Sequence, residues 1–165
     1  MERVWAPWRG EYIKQAVDLD SSKCIFCDFL KSKSDKENLV LYKNEFGLVM
    51  MNKYPYNNGH VMVTPNMHVS RFEALSEKEY IGLSDLLKLS VKVLEHVYAP
   101  QGFNIGMNLG KAAGAGVDQH IHYHVVPRWN GDTNFMPIFA ETKVISEHLM
   151  ETYDRLSKGF KEVAK

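Results

Sequence analysis

The pattern of hydrophobic and polar residues divides the chain into short β-rich runs and two longer helical segments. Residues 39–53 contain two such runs broken at 43–45, which predicts a hairpin. Further strands are predicted at 59–65, at 103–110 and over 120–127, each bounded by Gly, Pro or polar residues. The chain is therefore expected to contain a hairpin and three more strands.

The two longer segments repeat their apolar residues at three- and four-residue steps, as amphipathic helices do. In the first segment Ser76 and Glu79 form a capping box that starts a helix, and Pro100 ends it. Its predicted buried stripe consists of Tyr80, Leu83, Leu87, Val91, Leu94 and Tyr98. The second helix is predicted from about Thr142 to the end of the sequence, with a buried stripe of Ile145, Leu149, Leu156, Phe160 and Val163.

This order of elements, strands, a long helix, two strands and a closing helix, predicts an α+β fold. The chain has 165 residues, of which 45% are hydrophobic, and this is enough to bury one core. No internal repeat or linker interrupts it. We therefore expect a single domain over 1–165.

The charge balance argues against partners that are attracted by a strong overall field. The 20 Lys and Arg residues equal the 20 Asp and Glu residues, so the formal net charge is +0 and we expect neither nucleic-acid nor membrane partners. Residues 1–10 include Glu2 and lack the apolar stretch of a signal peptide, and no apolar run of about 18 residues occurs. We expect a cytoplasmic protein whose cysteines stay reduced.

The stretch HIHYHVV at 120–126 contains three of the 7 histidines. On a strand alternate side chains share a face, so His120, His122 and His124 are expected together. A lone histidine on a strand is usually a hydrogen-bonded structural residue, and a metal site is a second interpretation. Three in a row rarely converge on one ion. They suit chemistry on an anion better, with one imidazole attacking while its neighbours bind the oxygens.

The glycine-rich loop before these histidines is compatible with an anionic ligand. Gly114 and Gly116 let the backbone turn tightly and present N–H groups to a phosphate. Taken alone, the loop is more simply an ordinary strand connection. It lacks the Lys-Ser/Thr of a P-loop and the third glycine of a dinucleotide-binding motif.

Cys24 and Cys27 form a Cys-x-x-Cys pair. The pair alone is compatible with a redox motif, with half of a zinc site or with coincidence. The thioredoxin-like order of a strand leading into the motif is missing. A closed zinc site needs two more ligands.

Several stretches together resemble the histidine triad (HIT) superfamily. HIHYHVVPR matches its signature, His-φ-His-φ-His-φ-φ, in which φ is hydrophobic. Similarity extends to CIFC at 24–27, to 46–72 and to GMNLGKAAGAGVDQ at 106–119. VWAPWRGEYI and PRWNGDTNFM are similar to the branch of diadenosine tetraphosphate phosphorylases and hydrolases.

The resemblance implies an α+β HIT fold, with an antiparallel β-sheet, one long packing helix and a C-terminal helix. The implied core covers about 22–130, with an N-terminal arm at 1–21 and a C-terminal helical extension at 140–165. The resemblance also implies a homodimer. Exposed β-edges and the second helix are its expected contact surfaces.

Roles for individual residues follow from the same resemblance. His122, the middle histidine, is implied to attack the α-phosphorus and form a covalent nucleotidyl intermediate. His124 is implied to bind the phosphate, and His60 to support the nucleophile. The implied substrate-binding residues also include Asn52 at the ribose hydroxyls, Asn108 near the phosphates, and Gly114 and Gly116 in the loop.

A structural zinc ion is also implied by the resemblance. In zinc-bearing relatives the histidine of P-x-x-H and the first triad histidine join the cysteine pair. Here the four ligands would be Cys24, Cys27, His68 and His120. Such a site would anchor the N-terminal segment and orient the strand that carries His122. Two thiols without metal are the alternative.

The function expected from the resemblance is cleavage of a dinucleoside polyphosphate, diadenosine tetraphosphate above all. The chain would be a hydrolase or phosphorylase acting on the α-phosphate, and the sequence leaves open whether water or inorganic phosphate is the acceptor. Hydrolysis of nucleoside phosphoramidates is an alternative that uses the same nucleophile. A non-catalytic nucleotide-binding protein and an all-histidine metalloenzyme are alternatives of other classes.

Overall fold

The computed structural model describes residues 24–132 and 147–164, which form an antiparallel sheet covered by helices. The strands are β1 (Val40–Lys43), β2 (Gly47–Met51), β3 (Val61–Pro65), β4 (Gly102–Met107) and β5 (Tyr123–Arg128). The helices are α1 (Ile25–Lys31), α2 (Glu77–Tyr98) and α3 (Leu149–Val163), with 3₁₀ turns at Phe72–Ala74 and Lys111–Ala113. The strand order is β1-β2-β3-β5-β4, with every neighbouring pair antiparallel. The predicted α+β class and antiparallel sheet are confirmed.

The predicted hairpin is formed by β1 and β2, which are joined by residues 44–46. Asn44 closes the turn, because its side-chain oxygen accepts hydrogen bonds from the backbone N–H groups of Phe46 and Gly47 at 2.9 and 3.1 Å. β2 pairs antiparallel with β3. The loop between them, residues 52–60, therefore leaves and re-enters the sheet at one end.

Helix α2 begins with the predicted capping box. Its predicted buried stripe is confirmed except at Tyr80, since Leu83 and Leu94 are buried while Leu87, Val91 and Tyr98 pack against the core. Ser76 and Glu79 exchange the expected hydrogen bonds. Tyr80 is 47% exposed, and the buried residues are Gly82, Leu83, Leu86, Ser90, Val93 and Leu94. Periodicity of large apolar residues misses Gly82 and Ser90, which are small. Gly82 is buried because the Phe46 ring packs where a larger side chain would stand.

Helix α3 begins at Leu149, and His148 caps it by accepting a hydrogen bond from the backbone N–H of Met150 at 3.3 Å. The predicted start near Thr142, together with Ile145 and the predicted arm at 1–21, lies outside the described residues. The rest of the predicted stripe is confirmed, since Leu156 and Phe160 are buried while Leu149 and Val163 pack against the core. Within the described ranges no helix is long and apolar enough to span a membrane.

The prediction of one strand over 120–127 is wrong at its beginning. β5 starts at Tyr123, because the ladder with β4 ends where Met107 pairs with Tyr123. Before β5, hydrogen bonds to residues distant in the sequence hold the chain instead. The N–H of Ile121 donates to the carbonyl of Val69 at 2.8 Å, and the Thr64 hydroxyl donates to the carbonyl of Ile121 at 2.9 Å.

The sheet buries residues on both faces. On one face α2 and α3 cover the main core, which includes Val49, Met51 and Val125. On the other face Phe26 packs with Val40, Leu48, Met50 and Met62, and α1 covers them. Met62 pairs with His124 across β3 and β5, and cross-strand partners share a face. The last triad histidine therefore lies on the α1 face.

Candidate active site

The three triad histidines lie together on the α1 face, as their alternation predicts. The ring centroids of His122 and His124 are 5.0 Å apart. Phe26 contacts the two earlier rings, with centroids 5.3 Å from His120 and 5.0 Å from His122. Alternation thus persists through 120–122 although these residues precede β5.

His122 is held in the tautomer that a nucleophile needs. Its Nδ1 lies 2.9 Å from the carbonyl oxygen of His120, which can only accept, so Nδ1 carries the proton and donates it. Nε2 then keeps its lone pair. Burial lowers the pKa of the His122 imidazole below its ordinary value, although the hydrogen bond to His120 partly raises it. The ring is therefore neutral near pH 7, with Nε2 able to attack.

His124 is held in the opposite state by a chain of two hydrogen bonds. The backbone N–H of Tyr56 donates to Nδ1 of His60 at 3.1 Å, so the proton of neutral His60 is on Nε2. Nε2 of His60 lies 2.9 Å from Nδ1 of His124 and donates to it. The proton of neutral His124 is consequently on Nε2. The site thus combines an imidazole lone pair on His122 with an imidazole N–H on His124.

Asn52 and Asn108 each follow the end of a strand, Asn52 after β2 and Asn108 after β4. Asn52 is buried after β2, where its side-chain oxygen accepts from the N–H of Tyr54 at 2.9 Å and its own N–H donates to the His60 carbonyl at 3.0 Å. Asn108 follows β4 directly, one step beyond the Met107–Tyr123 pair. Alternation along β4 predicts that Asn108 shares the face of Gly106, which pairs with His124.

Gly114 does not present its N–H outward, as the cradle hypothesis requires. It has a φ of +88°, and its N–H donates to the Lys111 carbonyl at 2.9 Å inside the loop. Ala115 likewise donates to the Gly110 carbonyl at 3.3 Å. Gly114 therefore serves the turn itself, and phosphate binding at Gly116 stays a prediction.

Open space lies beside His124. Gly106 pairs with His124 across the ladder, and a Cβ atom at Gly106 would meet nothing within 4 Å. Because paired residues share a face, this space adjoins the His124 ring.

The four predicted metal ligands come together. Cys24 Sγ lies 3.3 Å from His120 Nδ1, Cys27 Sγ lies 3.3 Å from His68 Nδ1, and all four ligand atoms are within 4.8 Å of one another. Ligand atoms around tetrahedral zinc stand roughly 3.5 Å apart, so this group can hold the ion.

The state of His120 suits this purpose. Nε2 donates to the carbonyl of Pro65 at 2.9 Å, which leaves the Nδ1 lone pair facing the thiols. Burial is the main reason that the pKa of His120 is lowered to about 4, so its ring is neutral, as a metal ligand must be. Burial also raises the pKa of the Cys27 thiol.

Comparison with known proteins assigns this arrangement to a family. The sequence model of the HIT domain matches residues 33–131, more than half of the chain. The chain belongs to the HIT domain family. The match begins after Cys24 and Cys27, so α1 and its cysteines precede the part of this HIT chain that the family model covers.

Relatives of this HIT chain include named enzymes. An AP-4-A phosphorylase from Mycobacterium tuberculosis is 39% identical over 157 residues, covering 92% of this chain and 80% of that protein. An asymmetrical bis(5'-nucleosyl)-tetraphosphatase from Schizosaccharomyces pombe is 29% identical over 126 residues, covering 76% of this chain and 65% of that protein. The crystal structure of a zinc-bound histidine triad family protein from Mycobacterium smegmatis superposes with a TM-score of 0.68 at 24% identity, covering 88% of this chain and 98% of that one. This last likeness shows the shared HIT fold.

Sequence reasoning missed three residues that shape this HIT site. Phe26 contacts two triad rings, and Tyr56 supplies the N–H that orients His60. Asn57 accepts from the N–H of His60 at 3.2 Å and donates from its side chain to the carbonyl of Pro127 at 3.0 Å. The position of Phe26 between two cysteines was a usable signal. The hydrogen bonds that Tyr56 and Asn57 make to His60 use their backbone atoms, which leave no residue pattern.

Proposed function

We propose that this chain is an enzyme that cleaves dinucleoside polyphosphates, diadenosine tetraphosphate in particular, through a covalent nucleotidyl intermediate on His122. One observation carries the proposal. The Nε2 lone pair of buried His122 stands beside the N–H donor of His124, in tautomers imposed by His120 and His60. Sequence similarity to an AP-4-A phosphorylase and to a bis(5'-nucleosyl)-tetraphosphatase supports the choice of substrate.

The reaction proceeds in two displacements. Nε2 of His122 attacks the α-phosphorus, so that a P–N bond forms while the P–O bond to the leaving polyphosphate breaks. The Nε2–H of His124 donates a hydrogen bond to a phosphate oxygen as negative charge grows on it. An oxygen of the acceptor then attacks the phosphorus. The P–N bond breaks and His122 regains its lone pair.

Three further residues, Asn52, Asn108 and Gly116, are assigned to substrate binding, and Gly114 contributes only through the turn of the loop. Asn52 contacts the ribose hydroxyls through its amide group, and Asn108 meets the phosphates from the end of β4. Gly114 shapes the loop turn, and Gly116 donates its N–H to a phosphate oxygen. His124 belongs to both the binding and the catalytic set.

Cys24, Cys27, His68 and His120 bind a structural zinc ion in this proposal. The distances among the thiols and imidazoles and the neutral state of His120 support it. When bound, the metal links α1 to the segment that leads into β5. Catalysis itself is carried out by His122, His124 and His60.

The functional unit is a homodimer in this proposal. β4 is an edge strand of the sheet, and its Ile105 is 46% exposed, so a second copy can pair with this edge. A cytoplasmic location and the lack of nucleic-acid and membrane partners stay predictions.

The test incubates the purified chain with diadenosine tetraphosphate, with and without inorganic phosphate, and resolves the products. ADP plus ATP only in the presence of phosphate identifies a phosphorylase, which the relative of higher identity favours. AMP plus ATP in both conditions identifies an asymmetric hydrolase. Cleavage in neither condition overturns the proposal and directs attention to nucleoside phosphoramidates.

A His122→Ala variant completes the test. It is expected to bind nucleotide as the unaltered chain does, while its turnover falls by at least about 10³-fold. Mass spectrometry of the unaltered chain, denatured during turnover, should find one nucleoside monophosphate on His122. Turnover that survives in His122→Ala contradicts the assigned nucleophile.

A further inference from the structure

One buried aromatic ring connects the cysteine pair with the nucleophile. Phe26 is 1% exposed and stands between Cys24 and Cys27 at the start of α1. Its ring centroid is 5.0 Å from that of His122 at an interplanar angle of 43°, and 5.3 Å from that of His120 at 68°. It therefore touches both a metal-ligand candidate and the nucleophile.

Phe26 adds a second restraint on the direction of the His122 imidazole. The hydrogen bond from this imidazole to the His120 carbonyl restrains the Nδ1 side of the ring. Phe26 packs on the ring itself, which limits rotation about the bond to the imidazole. In-line attack depends on this orientation, and a misplacement of about 1 Å can cost roughly 100-fold in rate.

The position of Phe26 depends in turn on how α1 is held. A helix of 7 residues is too short to be stable alone. Two sets of contacts fix it. Phe26 packs into the cluster of Val40, Leu48, Met50 and Met62, and the thiols of Cys24 and Cys27 lie against His120 and His68.

We propose that Phe26 is a positioning residue for His122: held between Cys24 and Cys27, it fixes the imidazole orientation in which Nε2 meets the α-phosphorus. The assignment depends on the proposed function of His122. Phe26 touches no reacting atom in this scheme and acts through the ring that it supports. The residues around the thiols thereby contribute to catalysis as well as to stability.

The test compares Phe26→Leu with Phe29→Leu. Phe29 is half-buried on the same helix and packs against the same cluster. Among the described residues, no ring contact joins Phe29 to a histidine. Both variants lose an aromatic ring from one small core, so Phe29→Leu measures the effect of weakening α1 alone. Zinc content and unfolding temperature are measured for both.

Two readouts are followed. Long-range ¹H–¹⁵N spectra of the histidine side chains, recorded without substrate, should show His122 as a single Nδ1–H tautomer in the unaltered chain and in Phe29→Leu. In Phe26→Leu this signal should broaden or become a mixture of tautomers. The single-turnover rate on diadenosine tetraphosphate should fall about tenfold or more in Phe26→Leu. Its steady-state KM should stay within about twofold of the KM of the unaltered chain.

Two results overturn the proposal. One is an unchanged His122 signal in Phe26→Leu. The other is an equal loss of rate in both variants, because the loss would then come from the weakened α1 and not from the missing contact with His122. The spectra need no substrate. If the unaltered chain cleaves no dinucleoside polyphosphate, the proposed function fails, while the His122 signal still decides whether Phe26 orients the ring.

Discussion

Nε2 of His60 donates a hydrogen bond to Nδ1 of His124 across 2.9 Å. This contact completes a set of three histidines in two tautomers, because His120 and His124 carry the proton on Nε2 and His122 carries it on Nδ1. His120 offers an Nδ1 lone pair to the thiols, His122 an Nε2 lone pair, and His124 an Nε2–H. Three identical residues in one short motif therefore have three chemical roles, and the hydrogen-bond partner of each ring sets its role.

The His60–His124 contact predicts a catalytic loss when it is removed. In His60→Ala the donor that imposes the Nε2–H tautomer on His124 is lost, so the Nε2–H of His124 becomes a less fixed donor to the phosphate. The value of kcat is expected to fall about tenfold, because a hydrogen bond contributes roughly 1.5 kcal/mol. Steady-state kinetics measure it. His96→Ala, which removes an exposed histidine bonded to Glu162 at 3.0 Å, is the control and should keep the full rate. A His60→Ala rate equal to that of the unaltered chain would contradict the scheme.

The cysteine–histidine group predicts a metal-dependent stability. Elemental analysis should find one zinc ion per chain, and Cys24→Ser should abolish it. A ligand present at about 100 times its Kd stabilises by roughly 2.7 kcal/mol, so the melting temperature should fall by about 5–11 °C. Thermal unfolding followed by circular dichroism measures this. A metal-free chain with the same melting temperature as Cys24→Ser would favour paired thiols without metal.

The open space at Gly106 predicts a steric block of substrate. A leucine there projects beside His124, and because φ at Gly106 is not positive the backbone tolerates it. KM for diadenosine tetraphosphate should rise about tenfold or more, whereas the unfolding temperature should stay nearly unchanged. Gly102→Leu is the matched control, because it also meets open space but pairs with Arg128 at the far end of β4. Equal KM values in the two variants would show that substrate does not approach over Gly106.

Glu147 predicts a pH-dependent contribution to stability. Burial raises the pKa of this carboxyl, but hydrogen bonds from Tyr98, Thr152 and Arg155 outweigh it, and the net pKa lies below the ordinary 4.5. The stabilisation is therefore complete above that ordinary value and is lost as the pH falls through the folded-state value.

Glu147→Gln should consequently lower the free energy of unfolding by about 1–3 kcal/mol at pH 7, and by less at pH 3. Urea denaturation at both pH values measures the difference. Glu95→Gln, at an exposed position on α2, should change it by less than about 0.5 kcal/mol at either pH. A constant difference between Glu147→Gln and the unaltered chain at the two pH values would exclude this linkage.

Features that depend on neighbours in sequence were predictable. The turn at Asn44, the capping box at Ser76 and the shared face of the triad each involve residues within a few positions of one another. Local backbone geometry decides these features, so the residue types at these positions indicate them. The metal group was predictable only through family resemblance, since Cys24 and His120 lie 96 positions apart.

The sequence by itself determined the α+β class, the hairpin, the start of α2 and which histidines face together. Only the tertiary structure decided that α2 buries Gly82 and Ser90, that β5 begins at Tyr123, and that Phe26 lies against His122. The physical reason is the same in each case. A buried position, a strand end and a contact between two rings are all set by the group that packs or bonds opposite, and that group comes from a distant part of the chain.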